Sequence, residues 1–172
     1  RVNGVVGKNL SQTDIESHGV SPATRFLLRN PDKRCMHEQF NTLGAVGCYL
    51  SHMKCWKSII DNNLDYAFIF EDDIDVEKDF SYKLRKYLQT TDFSQVDMLS
   101  FGYLTTRNTC SPNESIIKKC DLFFGLQGYL LTKRGAQKLL DNATPIESHV
   151  DSYIAFMNQE NKITYSFFSP HN

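Results

Sequence analysis

The clearest hydrophobic pattern in the chain is a run of five apolar residues, 66–70, that leads directly into three acidic residues, 71–73. The run is mostly aromatic or β-branched, which predicts a short strand buried on both faces, as at the centre of a parallel sheet. In open α/β sheets, ligands bind outside the carboxyl ends of the strands. The pattern therefore predicts a candidate site where Glu71, Asp72 and Asp73 follow this strand.

Apolar residues at three-and-four spacing predict a long helix from Gly44 to Asn62, with His52 and Trp56 on its buried face. Similar patterns predict further helices at 80–88, 133–141 and 150–159 and a helical turn near 23–29. Short apolar runs predict strands at 1–6, 96–101, 163–168 and within 122–131. Thr132 is expected to cap the helix that follows it. Strands that alternate with helices indicate an α/β fold.

The chain has 172 residues, 41% of them hydrophobic, and a formal net charge of -1. This length and composition predict a single globular domain over residues 1–172, with a substantial core. The mixed charge gives no basic surface for nucleic acid, and no apolar run is long enough to span a membrane. Nucleic-acid binding and a transmembrane segment are therefore not expected.

Five cysteines occur without the short paired spacing of a zinc site. Cys48 and Cys55 are expected to be small core residues, which favours a reducing compartment and a cytoplasmic location. Cys110 and Cys120 bracket a polar loop, 103–121, and could instead pair in an oxidising compartment. Glycosylation sequons at Asn9, Asn113 and Asn142 would fit the endoplasmic reticulum lumen, so both locations stay open.

The three acidic residues predict a divalent cation site. Side chains two apart on a strand share a face, so Glu71 and Asp73 are expected to point together, away from Asp72. Paired carboxylates suit Mg²⁺ or Mn²⁺ when phosphate oxygens and water supply the other ligands. The alternative is a solvated acidic loop that leads into the next helix.

Two further residue types have both a structural and a functional interpretation. His52 lies on an apolar helix face, where a histidine is more often a core residue than a ligand. Gly125 and Gly128 interrupt a strand-like run, which indicates either close backbone approach to a sugar or phosphate, or a bend that the sheet needs. The sequence leaves both alternatives open.

The order of these motifs resembles glycosyltransferase family 25. The resemblance rests on Gly47 to His52 with Trp56, on Phe70 to Asp73, on Asp97 to Gly102, and on 128–136 followed by 145–151. That family includes lipopolysaccharide galactosyltransferases and procollagen galactosyltransferases. Four blocks in the same order make the likeness specific over most of the chain.

The resemblance implies a GT-A-like fold, with a central, mostly parallel sheet flanked by helices. It also implies an inverting transfer of a hexose, galactose being the first choice, from a UDP-sugar. The acceptor would be a saccharide, a lipooligosaccharide or a glycoprotein, and Mn²⁺ or Mg²⁺ would be the cofactor. The competing hypothesis is a non-catalytic homologue that acts as a binding or adhesion module.

Residue roles follow from the same resemblance. Glu71 and Asp73 would hold the metal, and the residues expected to contact the nucleotide-sugar are Ser51, His52, Asp72 and Gly128. Inversion needs a base for the acceptor hydroxyl, for which Asp151 is the first candidate, ahead of Glu147 and His149. Helix capping is the structural alternative for Asp151.

The chain also departs from the family at its start. Family members usually open with an earlier strand and a basic segment, whereas this sequence opens at what resembles the second strand. The first strand-helix unit of the fold is therefore expected to be missing. If that unit is lost from the protein, nucleotide binding would be affected.

Overall fold

The structure is a computed structural model that describes residues 1–30, 40, 42–90, 93–102, 105–106 and 123–167. The loop prediction at 103–121, apart from 105–106, and the cysteines Cys35, Cys110 and Cys120 fall outside these residues. The helices are α1 (Gln12–Ser17), α2 (Pro22–Arg29), α3 (Leu43–Asp61), α4 (Phe80–Thr90), α5 (Lys133–Asp141) and α6 (Val150–Gln159). The strands are β1 (Tyr66–Phe70), β2 (Met98–Ser100), β3 (Thr105–Thr106), β4 (Phe123–Phe124), β5 (Gly128–Thr132) and β6 (Tyr165–Phe167).

Four strands form one mixed sheet in the order β1-β5-β2-β6, and β3 pairs with β4 separately. Strand β5 is antiparallel to both β1 and β2, whereas β2 and β6 are parallel. Three of the four strands therefore run in one direction, and β5 alone opposes them. The predicted α/β class, with helices flanking the sheet, is confirmed, and the fold is compatible with a GT-A-like architecture.

The helix predictions were the most accurate, because local signals fix the helix ends. Thr132 accepts a hydrogen bond from the Gly135 amide and begins α5, as predicted. The Thr42 side chain accepts one from the Ala45 amide, so α3 begins one residue before the predicted start at Gly44. Helix α6 has the predicted bounds, and the turn near 23–29 is the full helix α2.

Strand β1 differs from the prediction of a central strand buried on both faces. It lies at the end of the four-stranded order, and Tyr66, Phe68 and Phe70 on its outer face are 53%, 38% and 44% exposed. Only Ile69 is buried, toward the core. A run of aromatic residues has the same appearance in sequence whether one face or both faces are covered, which explains the error.

Residues 1–6 were also predicted as a strand, but they form neither a strand nor a helix. They lie instead along α3, where the Val5 amide donates a hydrogen bond to Ser51 Oγ (2.8 Å). Gly47 allows this approach, because a Cβ at that position would lie 2.6 Å from the Val5 carbonyl oxygen. The N-terminal segment is thus held against α3 by backbone contact.

The core lies between α3, α5 and α6 and one face of the sheet. Its largest fully buried side chains are aromatic and aliphatic, among them Trp56, Tyr49, Tyr129, Tyr165, Ile59, Met98 and Leu131. Within the described residues, no helix is long and apolar enough to cross a membrane.

Asp97 joins three of these elements at the end of the sheet where β2 begins. Its carboxylate is buried and accepts hydrogen bonds from Arg134 Nε (2.6 Å), Lys138 Nζ (2.7 Å) and the Thr164 amide (2.9 Å). Burial opposes ionisation of this carboxyl, but the hydrogen bonds from Lys138, Arg134 and Thr164 outweigh it and lower the pKa of Asp97. The residue therefore anchors α5 and the start of β6 to the sheet.

Candidate functional site

An open pocket of about 790 Å³ lies between α3, the end of β1 and the N-terminal segment. This volume falls in the range of sites that bind small ligands. Polar and charged side chains gather along its walls and include Arg1, Asn3, Ser51, His52, Glu71, Asp72 and Asp73. Five of the nine predicted site residues thus line one pocket.

The backbone of Glu71 is held by a hydrogen bond although this residue follows the last residue of β1. Its amide donates to the Gln127 carbonyl (3.0 Å), which extends the contact between β1 and the segment before β5 by one residue. Asp72 and Asp73 lie in the turn that follows and are exposed. Because β1 ends at Phe70, the alternation of a strand does not set the direction of Asp73, contrary to the basis of that prediction.

The chemistry of these three acids fits a hard divalent cation. Among the described residues, no hydrogen bond reaches the Asp72 or Asp73 carboxylate, and none reaches that of Glu71, whose ion-pair neighbour His52 lies at 3.6 Å. Their oxygen atoms therefore keep lone pairs for a ligand, and carboxylate oxygens are what Mg²⁺ and Mn²⁺ prefer. The residues present fit the predicted cofactor.

His52 belongs both to the core and to the pocket, so the two interpretations of this residue are not exclusive. The residue is only 5% exposed, and its Nδ1 lies 2.7 Å from the Tyr129 hydroxyl. Its other ring nitrogen, Nε2, faces the pocket, 3.6 Å from Glu71 Oε1. The ring also stacks on that of Tyr129, with centroids 5.7 Å apart.

Ser51, predicted to contact the nucleotide-sugar, has partners within the protein. Its hydroxyl donates to the Gly47 carbonyl (2.7 Å) and accepts the Val5 amide (2.8 Å). Lys54 adds a hydrogen bond from Nζ to the Asn3 carbonyl (2.7 Å). These contacts make Ser51 part of the pocket wall, and its contact with a ligand stays a prediction.

Cys48 lies at the pocket surface rather than in the core, which corrects the sequence-based prediction. Its thiol, a nitrogen of His52 and a Glu71 oxygen all lie within 4.8 Å of one another. Desolvation by surrounding atoms, and then the charges of Glu71 and Asp151, raise the pKa of the Cys48 thiol to about 11. Its position one helical turn before His52 was the sequence signal that it shares this face.

Asp151 lies in the first turn of α6 and links that helix to the loop before β5. Its Oδ2 accepts the Gly125 amide (3.0 Å), and its Oδ1 accepts the Ser152 amide (2.7 Å). Its negative charge contributes to the raised pKa of Cys48, which lies on the pocket wall. The structure thus gives Asp151 a positional role at the helix start, and its role as a base stays a prediction.

Like Asp151, the two weaker base candidates lie outside the pocket lining. Glu147 is exposed in the segment before α6. His149 is the residue that precedes α6 and makes an edge contact with the Phe40 ring, with centroids 5.3 Å apart.

Gly128 has a packing role in the structure. A Cβ at this position would lie 2.7 Å from the Phe70 ring, so glycine lets that ring lie over the start of β5. Gly128 lines a smaller pocket beside Phe70 and Phe101, not the pocket that contains Glu71. This favours the sheet-packing alternative, and a contact between Gly128 and a nucleotide-sugar stays a prediction.

A mixed sheet whose first strand leads acidic residues into an open pocket defines an α/β domain with a candidate cation site. A family model described as glycosyltransferase family 25 (LPS biosynthesis protein) matches residues 7–154. The chain belongs to glycosyltransferase family 25.

Relatives of this chain carry names from the same family. Procollagen galactosyltransferase 1-A of Xenopus laevis is 31% identical over 180 residues, which cover 98% of this chain and 28% of that protein. Procollagen galactosyltransferase 2 of Homo sapiens is 30% identical over 130 residues, with coverages of 71% and 21%. A glycosyltransferase 25 family member of Drosophila melanogaster is 30% identical, with coverages of 89% and 25%. The chain therefore spans between a fifth and 28% of these relatives.

Proposed function

We propose that this chain is the donor-binding region of a glycosyltransferase that moves a hexose, galactose being the first choice, from a UDP-sugar to a hydroxyl group. The observation that carries the proposal is the position of Glu71, Asp72 and Asp73 in one pocket, with lone pairs that the described residues leave free. Family membership and the names of the galactosyltransferase relatives support the reaction class. The acceptor would be a saccharide, a lipooligosaccharide or a hydroxylated protein.

In this proposal Glu71 and Asp73 would hold Mn²⁺ or Mg²⁺. The ion would supply positive charge to stabilise the diphosphate as the glycosidic bond breaks. The hydrogen bond from the Glu71 amide to the Gln127 carbonyl fixes the backbone that carries this carboxylate. Asp72, Ser51 and the N-terminal segment contact the nucleotide-sugar and limit access of water.

Asp151 is the proposed base of an inverting reaction. One of its oxygens, Oδ2, accepts the Gly125 amide and keeps a second lone pair that can receive the proton of the acceptor hydroxyl. The same hydrogen bond fixes the orientation of the carboxylate. Asp151→Asn should then abolish transfer while leaving binding of UDP unchanged, because the amide cannot take up this proton.

Calorimetric titration of UDP, with and without Mn²⁺, tests the proposal. We expect Mn²⁺-dependent binding that falls more than about tenfold in the variant Glu71→Gln/Asp73→Asn, because an amide oxygen carries no net charge for the ion. The variant Asp61→Asn/Asp65→Asn is a matched control, since it makes the same charge change at exposed acids before β1. It should bind as the unmodified protein does.

The outcome that contradicts the proposal is also defined. Unmodified protein that binds neither UDP nor any UDP-sugar in the presence of Mn²⁺ would favour a homologue that acts as a binding module. If UDP binds, comparison of UDP-galactose with UDP-glucose in the same titration then tests the donor sugar.

A further inference from the structure

Three buried side chains form a hydrogen-bonded chain that ends at the pocket. The indole Nε1 of Trp56 lies 3.0 Å from the Tyr129 hydroxyl, and that hydroxyl lies 2.7 Å from His52 Nδ1. The opposite ring nitrogen, His52 Nε2, faces Glu71 Oε1 at 3.6 Å. Trp56 and Tyr129 are fully buried, so water cannot satisfy their polar atoms.

Counting protons shows which group donates and which accepts in each of these hydrogen bonds. The indole nitrogen can only donate, so the Tyr129 oxygen accepts from Trp56. Burial raises the pKa of the Tyr129 hydroxyl well above its ordinary value, so the hydroxyl keeps its proton and has one to donate. Among the described residues, the acceptor within reach of that proton is His52 Nδ1.

The alternative arrangement leaves a buried donor without a partner. If His52 Nδ1 carried a proton, Trp56 and His52 would both donate to the Tyr129 oxygen, and the Tyr129 proton would have no acceptor among the described residues. An unsatisfied buried donor is costly, and a fully satisfied network is favoured. In a neutral imidazole one nitrogen accepts and the other donates, so the proton must be on Nε2.

We propose that Tyr129 and Trp56 are positioning residues that hold His52 in the tautomer with its proton on Nε2, so that His52 presents a donor to Glu71 and orients that carboxylate. Partners of this kind behind a metal-binding group commonly set its geometry and affinity. At 3.6 Å the proton of Nε2 is beyond direct hydrogen-bond distance, and a small movement of Glu71 on ligand binding would close the gap. The inference deepens the proposed function, in which Glu71 binds the cation.

The inference also disfavours a second arrangement of the same residues. Cys48, His52 and Glu71 lie close enough together to form a three-ligand site for a softer metal such as Zn²⁺. A histidine binds a metal through Nε2 only after that nitrogen has lost its proton. In the tautomer that we assign, such a site would require His52 to move its proton to Nδ1 and break the hydrogen bond from Tyr129, a cost that binding by Glu71 and its neighbouring aspartates avoids.

Nitrogen NMR of the protein labelled at histidine tests the tautomer in the absence of any ligand. We expect His52, recognised by its contacts with the Tyr129 and Trp56 rings, to show a protonated Nε2 and an unprotonated Nδ1. Tyr129→Phe removes the hydroxyl that links Trp56 to His52 and leaves the ring in place. In Tyr129→Phe the tautomer preference should be lost, and Mn²⁺-dependent affinity for UDP should fall between about tenfold and a hundredfold.

Tyr49→Phe is the matched control, because it also removes a buried tyrosine hydroxyl, one that donates to the Ala143 carbonyl (3.0 Å). It should leave both the His52 tautomer and the affinity unchanged. A proton on Nδ1 would overturn the inference. So would an unchanged affinity in Tyr129→Phe, or a thiolate absorption band with Co²⁺ that disappears in Cys48→Ser. Because the tautomer is measured without ligand, its failure is distinguishable from that of the proposed function.

Discussion

At the end of the sheet where β2 begins, Asp97 is buried and accepts three hydrogen bonds from protein groups. At the other end, where β1 finishes, Glu71 is half-buried, and its ion-pair partner among the described residues is His52, at 3.6 Å. Both are carboxylates beside a strand, and both fall in blocks that resemble the same family. They differ in burial and in the supply of protein donors.

This difference separates a carboxylate whose oxygens are occupied by protein groups from one whose oxygens stay available to a ligand. Asp97 is fully buried, and Arg134, Lys138 and the Thr164 amide occupy three of the four lone-pair sites on its carboxylate. The carboxylates of Glu71 and of the two aspartates after it stay available to a ligand. The predictions below test this contrast, from the largest expected effect to the smallest.

Removing the charge of Asp97 should mainly lower stability, whereas removing that of Glu71 should leave stability almost unchanged. Asp97→Asn should lower the free energy of unfolding by about 2 kcal/mol, since it removes the charge from a buried carboxylate that accepts three hydrogen bonds. Glu71→Gln should change it by less than about 0.5 kcal/mol, as surface substitutions do. Urea unfolding measures both values, and equal losses in the two variants would contradict the contrast.

The contribution of Asp97 should also depend on pH in a defined direction. Its pKa in the folded protein is lower than the ordinary 3.8, so its contribution is fully present above that value and is lost as the pH falls through the lower folded value. The difference in melting temperature between unmodified protein and Asp97→Asn should therefore be constant from about pH 7 to about pH 5 and shrink in stronger acid. A difference that shrinks near neutral pH would assign the effect to another group.

The pocket wall formed by the N-terminal segment depends on close backbone contact at Gly47. Gly47→Ala should destabilise the protein by about 2 kcal/mol and weaken UDP binding, because the new Cβ would lie 2.6 Å from the Val5 carbonyl oxygen. Gly44→Ala, in the same helix, is the control, since its Cβ would meet nothing closer than 3.9 Å. That change should be neutral or stabilising by up to about 1 kcal/mol. Thermal melts with and without UDP and Mn²⁺ would compare the two.

The smallest effect is on the reactivity of Cys48. The Glu71 charge is one cause of its raised pKa of about 11, so Glu71→Gln should lower that pKa and increase the thiolate fraction. Alkylation at Cys48, followed by peptide mass spectrometry at mildly alkaline pH, should accelerate by roughly a few-fold. Asp61→Asn is the control, and an equal acceleration there would contradict a local effect of Glu71.

The elements fixed by local sequence could be predicted, and those fixed by distant contacts could not. Helices α5 and α6 have their predicted bounds, because a capping threonine and apolar spacing act within one segment. The position of β1 at the end of the sheet depends on its pairing with β5, which follows it by about sixty residues. The five apolar residues of β1 do not indicate which strand they pair with.

The candidate site shows the same division. The acidic residues and His52 were visible as motifs, and the structure brings them to one pocket. Tyr129 was missed, because a tyrosine in an apolar run resembles any core residue until α3 places Trp56 and His52 against its hydroxyl. The sequence therefore identifies the charged residues that line the pocket. The residues buried behind them can be identified only once the fold is known.

The opposed direction of β5 has a consequence for engineering. Because β5 starts where β1 and β2 finish, the residues after β1, after β2 and before β5 all meet at one end of the sheet. The anchor at Asp97 lies at the other end, beyond the length of these strands, where effects of substitutions are expected to add independently. A library that varies only residues at the end where β1 and β2 finish could therefore alter ligand preference without lowering the stability that the contacts of Asp97 provide.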